Sequence, residues 1–284
     1  MLSHFNSKPN RMNSSKVSVK RNIQYLNLQS STLNSSETTY DLYIPNKIIN
    51  NTVNVYIHGG GLTRGDKQNT GKLTDLFQEL GSIFLSSNYP LNLPNGQTKS
   101  LVEYQLEALS CLHRHLINSI QQQSIFSKST RICYIAHSAG AYLISLGIAK
   151  DIFNHLPTDF VLVDSSAYFL QDKYDQSNIR ARNQIDKSCG VTSDSERFRI
   201  LGGLSPGDII SSVQWTHPNP SNVLFISGNG FKSRSTANRL LNCLNKKGFS
   251  CTHILTEYSH RQINRELGTY GNQASEPLID FLKS

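Results

Sequence analysis

"YIAHSAGAYL", residues 134–143, decides how the rest of the chain is read. A β-branched and aromatic run, "RICYIAHS" (131–138), stops at Ser138 and gives way at once to "AGAYLISLGIAK", a helical pattern. A serine on such a strand-to-helix turn is held in a strained conformation. The residues around it must be small because any larger Cβ would strike the adjoining strand or helix. Ala136, Ala139, Gly140 and Ala141 meet that requirement, with alanine at the position where G-x-S-x-G has its first glycine. The stretch therefore reads as a nucleophile elbow with Ser138 as the nucleophile.

Outward from the elbow, short strand-like runs alternate with longer helical patterns from about residue 38. This alternation predicts an α/β fold with a mostly parallel central sheet covered by helices on both faces. Expected strands are "TTYDLYIP" (38–45) as an early edge strand, then "VNVYIH" (53–58), "SIFLSSNY" (82–89), the elbow strand, "DFVLVD" (159–164), "NVLFISG" (222–228) and "CTHILTE" (251–257). Helical stretches are expected around Leu73–Leu80, Glu103–Gln121, Arg234–Lys247 and Glu276–Leu282. Residues 165–220 read as an irregular, cap-like insertion, and residues 1–37 as a basic, disordered tail before a single domain over 38–284.

In such a sheet, ligands bind at the carboxyl ends of the strands, so polar residues there are the candidates. "YIHGGGL" places His58–Gly61 directly after a strand. Backbone N–H groups of this glycine loop are expected to supply part of an oxyanion hole. A base must come late in the chain. His260 in "TEYSHRQINREL" lies just past the last strand, whereas His253 sits inside a strand pattern and His137 is turned away from Ser138 by the elbow itself.

The acid is ambiguous. The position after "NVLFISG" offers Asn229, which is not an anion, while Asp164 at the end of the preceding strand is the alternative. An asparagine in this role costs on the order of 10⁴ in turnover.

These motifs resemble those of the fungal kynurenine formamidases, arylformamidases in the hormone-sensitive-lipase-like branch of the α/β-hydrolases. The likeness covers roughly residues 38–284 and rests on "YIHGGGL", "NYPLNLPN", "AHSAGA" and the closing "LLNCL" and "YSHRQI". It implies the α/β-hydrolase fold and Ser138 as nucleophile, with Asn229 at the acid position, His260 as base, and Gly59, Gly60 and Ala139 as oxyanion donors. It also implies hydrolysis of N-formyl-L-kynurenine to L-kynurenine and formate in tryptophan catabolism. Leu62, Ala136 and Asn229 depart from the family's Trp, Gly and Asp. A carboxylesterase of the same fold, and a weakened or noncatalytic relative, are the alternatives.

Composition narrows the other classes. The net charge of +8 is concentrated in Lys8, Arg11, Lys16, Lys20 and Arg21, ahead of the first acidic residue, Glu37, so nucleic-acid binding is not expected. The five cysteines are scattered without a CxxC pair, which predicts neither a disulfide framework nor a metal site, and no cofactor motif is present. No apolar run reaches the roughly 18 residues of a membrane span. A cytoplasmic protein acting on a small N-formyl aryl amine is expected, with mitochondrial targeting by the basic tail as the alternative. The sequence leaves room for a homodimer.

Overall fold

The computed structural model describes residues 18–26, 35–96, 98–122, 126, 131–154, 156–214 and 221–283. Among these residues eight strands, β1 (Ser18–Gln24), β2 (Thr39–Ile44), β3 (Thr52–Ile57), β4 (Ile83–Ser87), β5 (Arg131–His137), β6 (Thr158–Val163), β7 (Asn222–Ser227) and β8 (Ser250–Leu255), form one sheet. Their spatial order is β1-β2-β4-β3-β5-β6-β7-β8. The β1–β2 and β2–β4 pairs are antiparallel, and every pair from β4 to β8 is parallel.

The central strands are buried on both faces, which is why they read as nearly continuous apolar runs rather than alternating ones. Val53, Val55 and Ile57 pack into the core on one side, and Tyr56 faces the other. The helices covering these faces are α1 (Leu73–Glu79), α2 (Leu101–Gln121), α3 (Ala139–Ala149), α8 (Phe231–Asn245), α9 (His260–Glu266) and α10 (Ser275–Lys283). Between β6 and β7 lie α4 (Leu170–Asp175), α5 (Ile179–Cys189), α6 (Asp194–Gly203) and α7 (Pro206–Ser212). On one face, α2, α3 and α8 bury residues such as Leu109, Leu143 and Leu240. On the other, α1, α9 and α10 contribute Phe77, Ile263 and Leu278. A sheet antiparallel at its first two pairs, parallel from β4 to β8 and covered by helices on both faces is the α/β architecture expected from the sequence.

Two boundaries differ from the sequence expectation. The stretch 165–220, expected to be irregular, is largely helical over its described part. It carries nine serines and five aspartates, residues of modest helix propensity, so intrinsic propensity is weak. Local ends and packing supply what propensity lacks: the Asn178 side chain accepts from the Ala181 amide, Gly190 closes α5 in the left-handed region, and Cys189, Leu201 and Ile210 are buried.

The second difference is at the tail. Ser18–Gln24 belongs to the sheet, so β2 is not an edge; residues 1–17 lie outside the described set. Its sequence, SVKRNIQ, has no clear alternation to betray it. It is held instead by specific polar contacts and an anchor. Arg21 pairs with the buried Asp41 at 2.6 Å, the Asn22 amide donates to the same carboxylate at 2.9 Å, and buried Tyr25 donates to the Asn88 carbonyl at 2.8 Å.

Candidate active site

Ser138 joins β5 to α3 with φ 54° and ψ −114°, a conformation that L-residues rarely adopt. Its own amide donates to Val163 O at 2.9 Å, tying the turn to the neighbouring strand β6. The small residues beside it are required by contact. A Cβ on Gly140 would stand 2.4 Å from Ile57 O and 2.6 Å from His58 O, and one on Gly59 would stand 3.0 Å from Ser138 Cβ. Ala136 lies two residues earlier, inside the β5 ladder between Ile57 and Leu162, where its methyl group joins the core. The substitution of alanine for glycine there leaves the turn intact.

His260 begins α9, with Ser259 as the N-cap accepting from the Gln262 amide. Its Nε2 lies 3.0 Å from Ser138 Oγ, in position to accept the hydroxyl proton. Its Nδ1 donates to Asp164 Oδ2 at 2.7 Å. Asp164 follows β6 directly, and its side chain is only 3% exposed. Burial alone would raise this carboxyl; hydrogen bonds from His260, Ser233 and the Gly228 amide reverse that effect and hold it below the ordinary carboxylate value. The Gly228 bond, at 2.9 Å to Oδ1, comes from the end of β7.

Asn229 does not occupy the acid's place. It is exposed, its amide donates to Tyr258 O at 2.8 Å, and its side chain reaches Glu257 O at 3.4 Å, fastening the loop after β7 to the loop after β8. The carboxylate that meets the imidazole comes instead from β6, the strand next to β5. Gly228 is required chiefly by the Tyr258 carbonyl oxygen, which a Cβ there would approach to 2.5 Å; Asp164 Oδ2 would lie 3.3 Å from it.

Gly59 and Gly60 follow β3 and pass beside the elbow. Gly60 has φ 128°, and any Cβ on it would lie 1.9 Å from Arg64 O, so only glycine fits this bend. Among the described residues, the amides of Gly60 and Ala139 make no backbone bond outside regular structure, as oxyanion donors require. Behind the loop, the fully buried Gln105 donates to Leu62 O and Pro90 O, both at 2.7 Å. Gln105 escaped the sequence reading, although a glutamine on the apolar stripe of α2 was a visible signal.

His137 is buried and faces away from the hydroxyl. Its Nε2 donates to the His260 carbonyl at 3.2 Å, and the two rings stand 4.8 Å apart. Burial, and then the charge of a protonated His260, push its pKa down to about 4. His253 lies in β8 and bonds Ser227 Oγ at 2.9 Å, away from this arrangement. The site opens onto a cavity of about 530 Å³, bounded by Leu62, Tyr142, Leu170 and Ile185 as well as Ser138 and His260. Among the described residues, no cluster of three or more His, Cys, Asp or Glu side chains could hold a metal ion, and no helix is long and apolar enough to cross a membrane.

No protein-family model and no curated protein matches the chain. Solved structures do. Esterase B from Lactobacillus rhamnosis superposes with a TM-score of 0.70 at 17% identity, covering 94% of this chain and 85% of that one. A truncated carbohydrate esterase from gut microbiota gives 0.69 at 14% identity, over 94% and 95%. A hyperthermophilic esterase from Pyrobaculum calidifontis gives 0.64 at 14% identity, over 86% and 79%. At these identities the likeness establishes the α/β-hydrolase fold.

Proposed function

We propose that the chain is a serine hydrolase of the carboxylesterase class. The observation that carries this reading is the continuous relay from Ser138 Oγ through His260 to the buried Asp164, at 3.0 and 2.7 Å, on a strained elbow beside a glycine loop. The esterases that share the fold support the ester class.

In this reading Ser138 Oγ attacks the substrate carbonyl carbon while His260 Nε2 takes the hydroxyl proton. Asp164 keeps the proton on Nδ1 and stabilises the imidazolium. Amides of Gly59, Gly60 and Ala139 receive the oxyanion. Collapse of the intermediate breaks the bond to the leaving group, which takes the proton from Nε2. Water then releases the acid from the acyl-serine.

The second reading is arylformamidase action on N-formyl-L-kynurenine, and the motif resemblance around Gly59, Ser138 and His260 favours it. The chemistry is the same, with formate released and an aryl amine as leaving group. Purified protein assayed side by side on p-nitrophenyl acetate and N-formyl-L-kynurenine separates the two readings by which rate dominates. A fluorophosphonate probe is expected to label Ser138 in the wild type and to leave Ser138→Ala unlabelled. Absence of both labelling and turnover would end the hydrolase reading.

A further inference from the structure

The cavity in front of Ser138 has two ammonium groups on its wall, Lys173 of α4 and Lys232 of α8. Each is fixed by one neutral acceptor. Lys173 Nζ donates to Ser166 Oγ at 2.7 Å, and Lys232 Nζ donates to the Gln176 carbonyl at 3.0 Å. An ammonium has three N–H donors, so these bonds leave capacity unused on both. Neither lysine forms an ion pair among the described residues. The carboxylate in the same cavity, Asp164, is already bonded to His260 and Gly228.

Both lysines are bound to the chain close to the relay. Ser166 is two residues beyond Asp164, and Lys232 is four residues beyond Gly228, whose amide touches that same carboxylate. Lys173 is half-buried, and its pKa is lowered by burial and by the charge of Lys232, so the two cations feel one another across the wall. Lys232 is exposed at the cavity rim, so water screens the pair, and an anion seated between the two would take up the unused donors of both. The rest of the wall includes Leu170 and Ile185, which suit an apolar body.

Resting on the hydrolase reading, we propose that Lys173 and Lys232 form a carboxylate subsite, so that the preferred substrate is an ester or amide carrying a carboxylate at a distance from the scissile bond. Loss of one charge-assisted hydrogen bond to such a carboxylate is expected to lower kcat/KM roughly tenfold or more.

The test uses two matched pairs: 4-nitrophenyl hydrogen glutarate against 4-nitrophenyl valerate, with the anion on the acyl side, and 3-acetoxybenzoate against phenyl acetate, with it on the leaving group. For each enzyme the readout is the ratio of kcat/KM, carboxylate-bearing over neutral, so that differences in intrinsic reactivity cancel between variants. In at least one pair the ratio is expected to fall about tenfold in Lys173→Met and in Lys232→Met, and further in the double variant, while Lys173→Arg retains most of it. Ratios within twofold of wild type in both pairs, with turnover intact, would overturn the subsite and leave the hydrolase reading standing.

If no substrate turns over, calorimetry with 3-acetamidobenzoate separates the two ideas. Binding to the wild type that is lost in the double methionine variant supports the subsite without the chemistry; no binding to the wild type overturns it.

Discussion

At the scale of single residues, the arrangement around His260 makes opposite predictions for two side chains that the sequence offered for the same role. Asp164→Asn removes the anion that fixes the imidazole tautomer, and kcat is expected to fall by about 10⁴ on whichever ester proves active. Asn229 lies on the cavity wall, but its amide spans to Glu257 O and Asp164 already holds the place beside His260 Nδ1, so Asn229→Asp is expected to leave kcat nearly unchanged. A large gain in the second variant would mean that the imidazole can turn to Asn229. Ser138 and His260 stood out in the sequence because each is marked locally, by a strand-to-helix turn and by a loop after the last strand. The acid was not marked in that way: which strand end faces the imidazole depends on how the loops after β6, β7 and β8 meet, and that is a property of the assembled sheet.

His137 adds a pH dependence of known sign. Its folded pKa of about 4 lies below the ordinary histidine value of about 6.5. The unfolded chain therefore binds more protons between these values, and stability rises with pH across that window. His137 favours the folded state fully above about pH 6.5 and progressively less towards pH 4, by on the order of 3 kcal/mol in total. Urea unfolding at pH 4.5 and 7.5 is expected to show a smaller difference in His137→Gln than in the wild type. An equal difference would show that another group dominates the acid limb.

At the scale of the element, α3 shows why helix propensity gives the wrong sign at a packed contact. Glycine to alanine inside a helix ordinarily stabilises by about 1 kcal/mol. At Gly140 the added methyl group would meet the carbonyl oxygens of Ile57 and His58, both backbone atoms that cannot step aside singly. Gly140→Ala is expected to push α3 from β3, costing about 1–3 kcal/mol in unfolding free energy and reducing turnover because Ser138 rides on the same turn. The same distinction explains which elements were legible in advance. Strands β3 to β7 are written in apolar residues because both faces are covered, and α2 shows a long apolar stripe, although its start at Leu101, capped by Ser100 and Glu103, lies two residues before the expected one. The helices α4 to α7 are short and polar, and they exist because Leu201, Ile210 and Cys189 have a core to enter. Local sequence carries little trace of such a contact.

At the scale of the whole molecule, β1 carries the sheet into a segment whose composition suggests only a tail, and it does so through a buried charge cluster. Asp41 is fully buried on β2 and takes Arg21 from β1, the Asn22 amide, and Lys67 at 2.7 Å from the loop after β3. Lys67 is itself buried, so the cluster joins three separate parts of the chain at the sheet's outer side. Breaking one member of such a pair strands the other charge, which costs about 3–5 kcal/mol, whereas replacing both by apolar groups of similar size is close to neutral. Asp41→Asn should therefore lower the urea midpoint sharply, and Asp41→Leu combined with Lys67→Met should recover much of the loss. Removing residues 1–26 tests the same junction differently: Arg21, Asn22 and Tyr25 are lost, Asp41 and Lys67 keep each other, and β2 becomes the exposed edge. The truncated protein is expected to melt lower and to self-associate with rising concentration, because an uncovered edge strand offers its unpaired amides to another chain. Light scattering and thermal melts on the same samples check this; a monomeric protein with an unchanged midpoint would mean that β1 contributes nothing to holding the sheet.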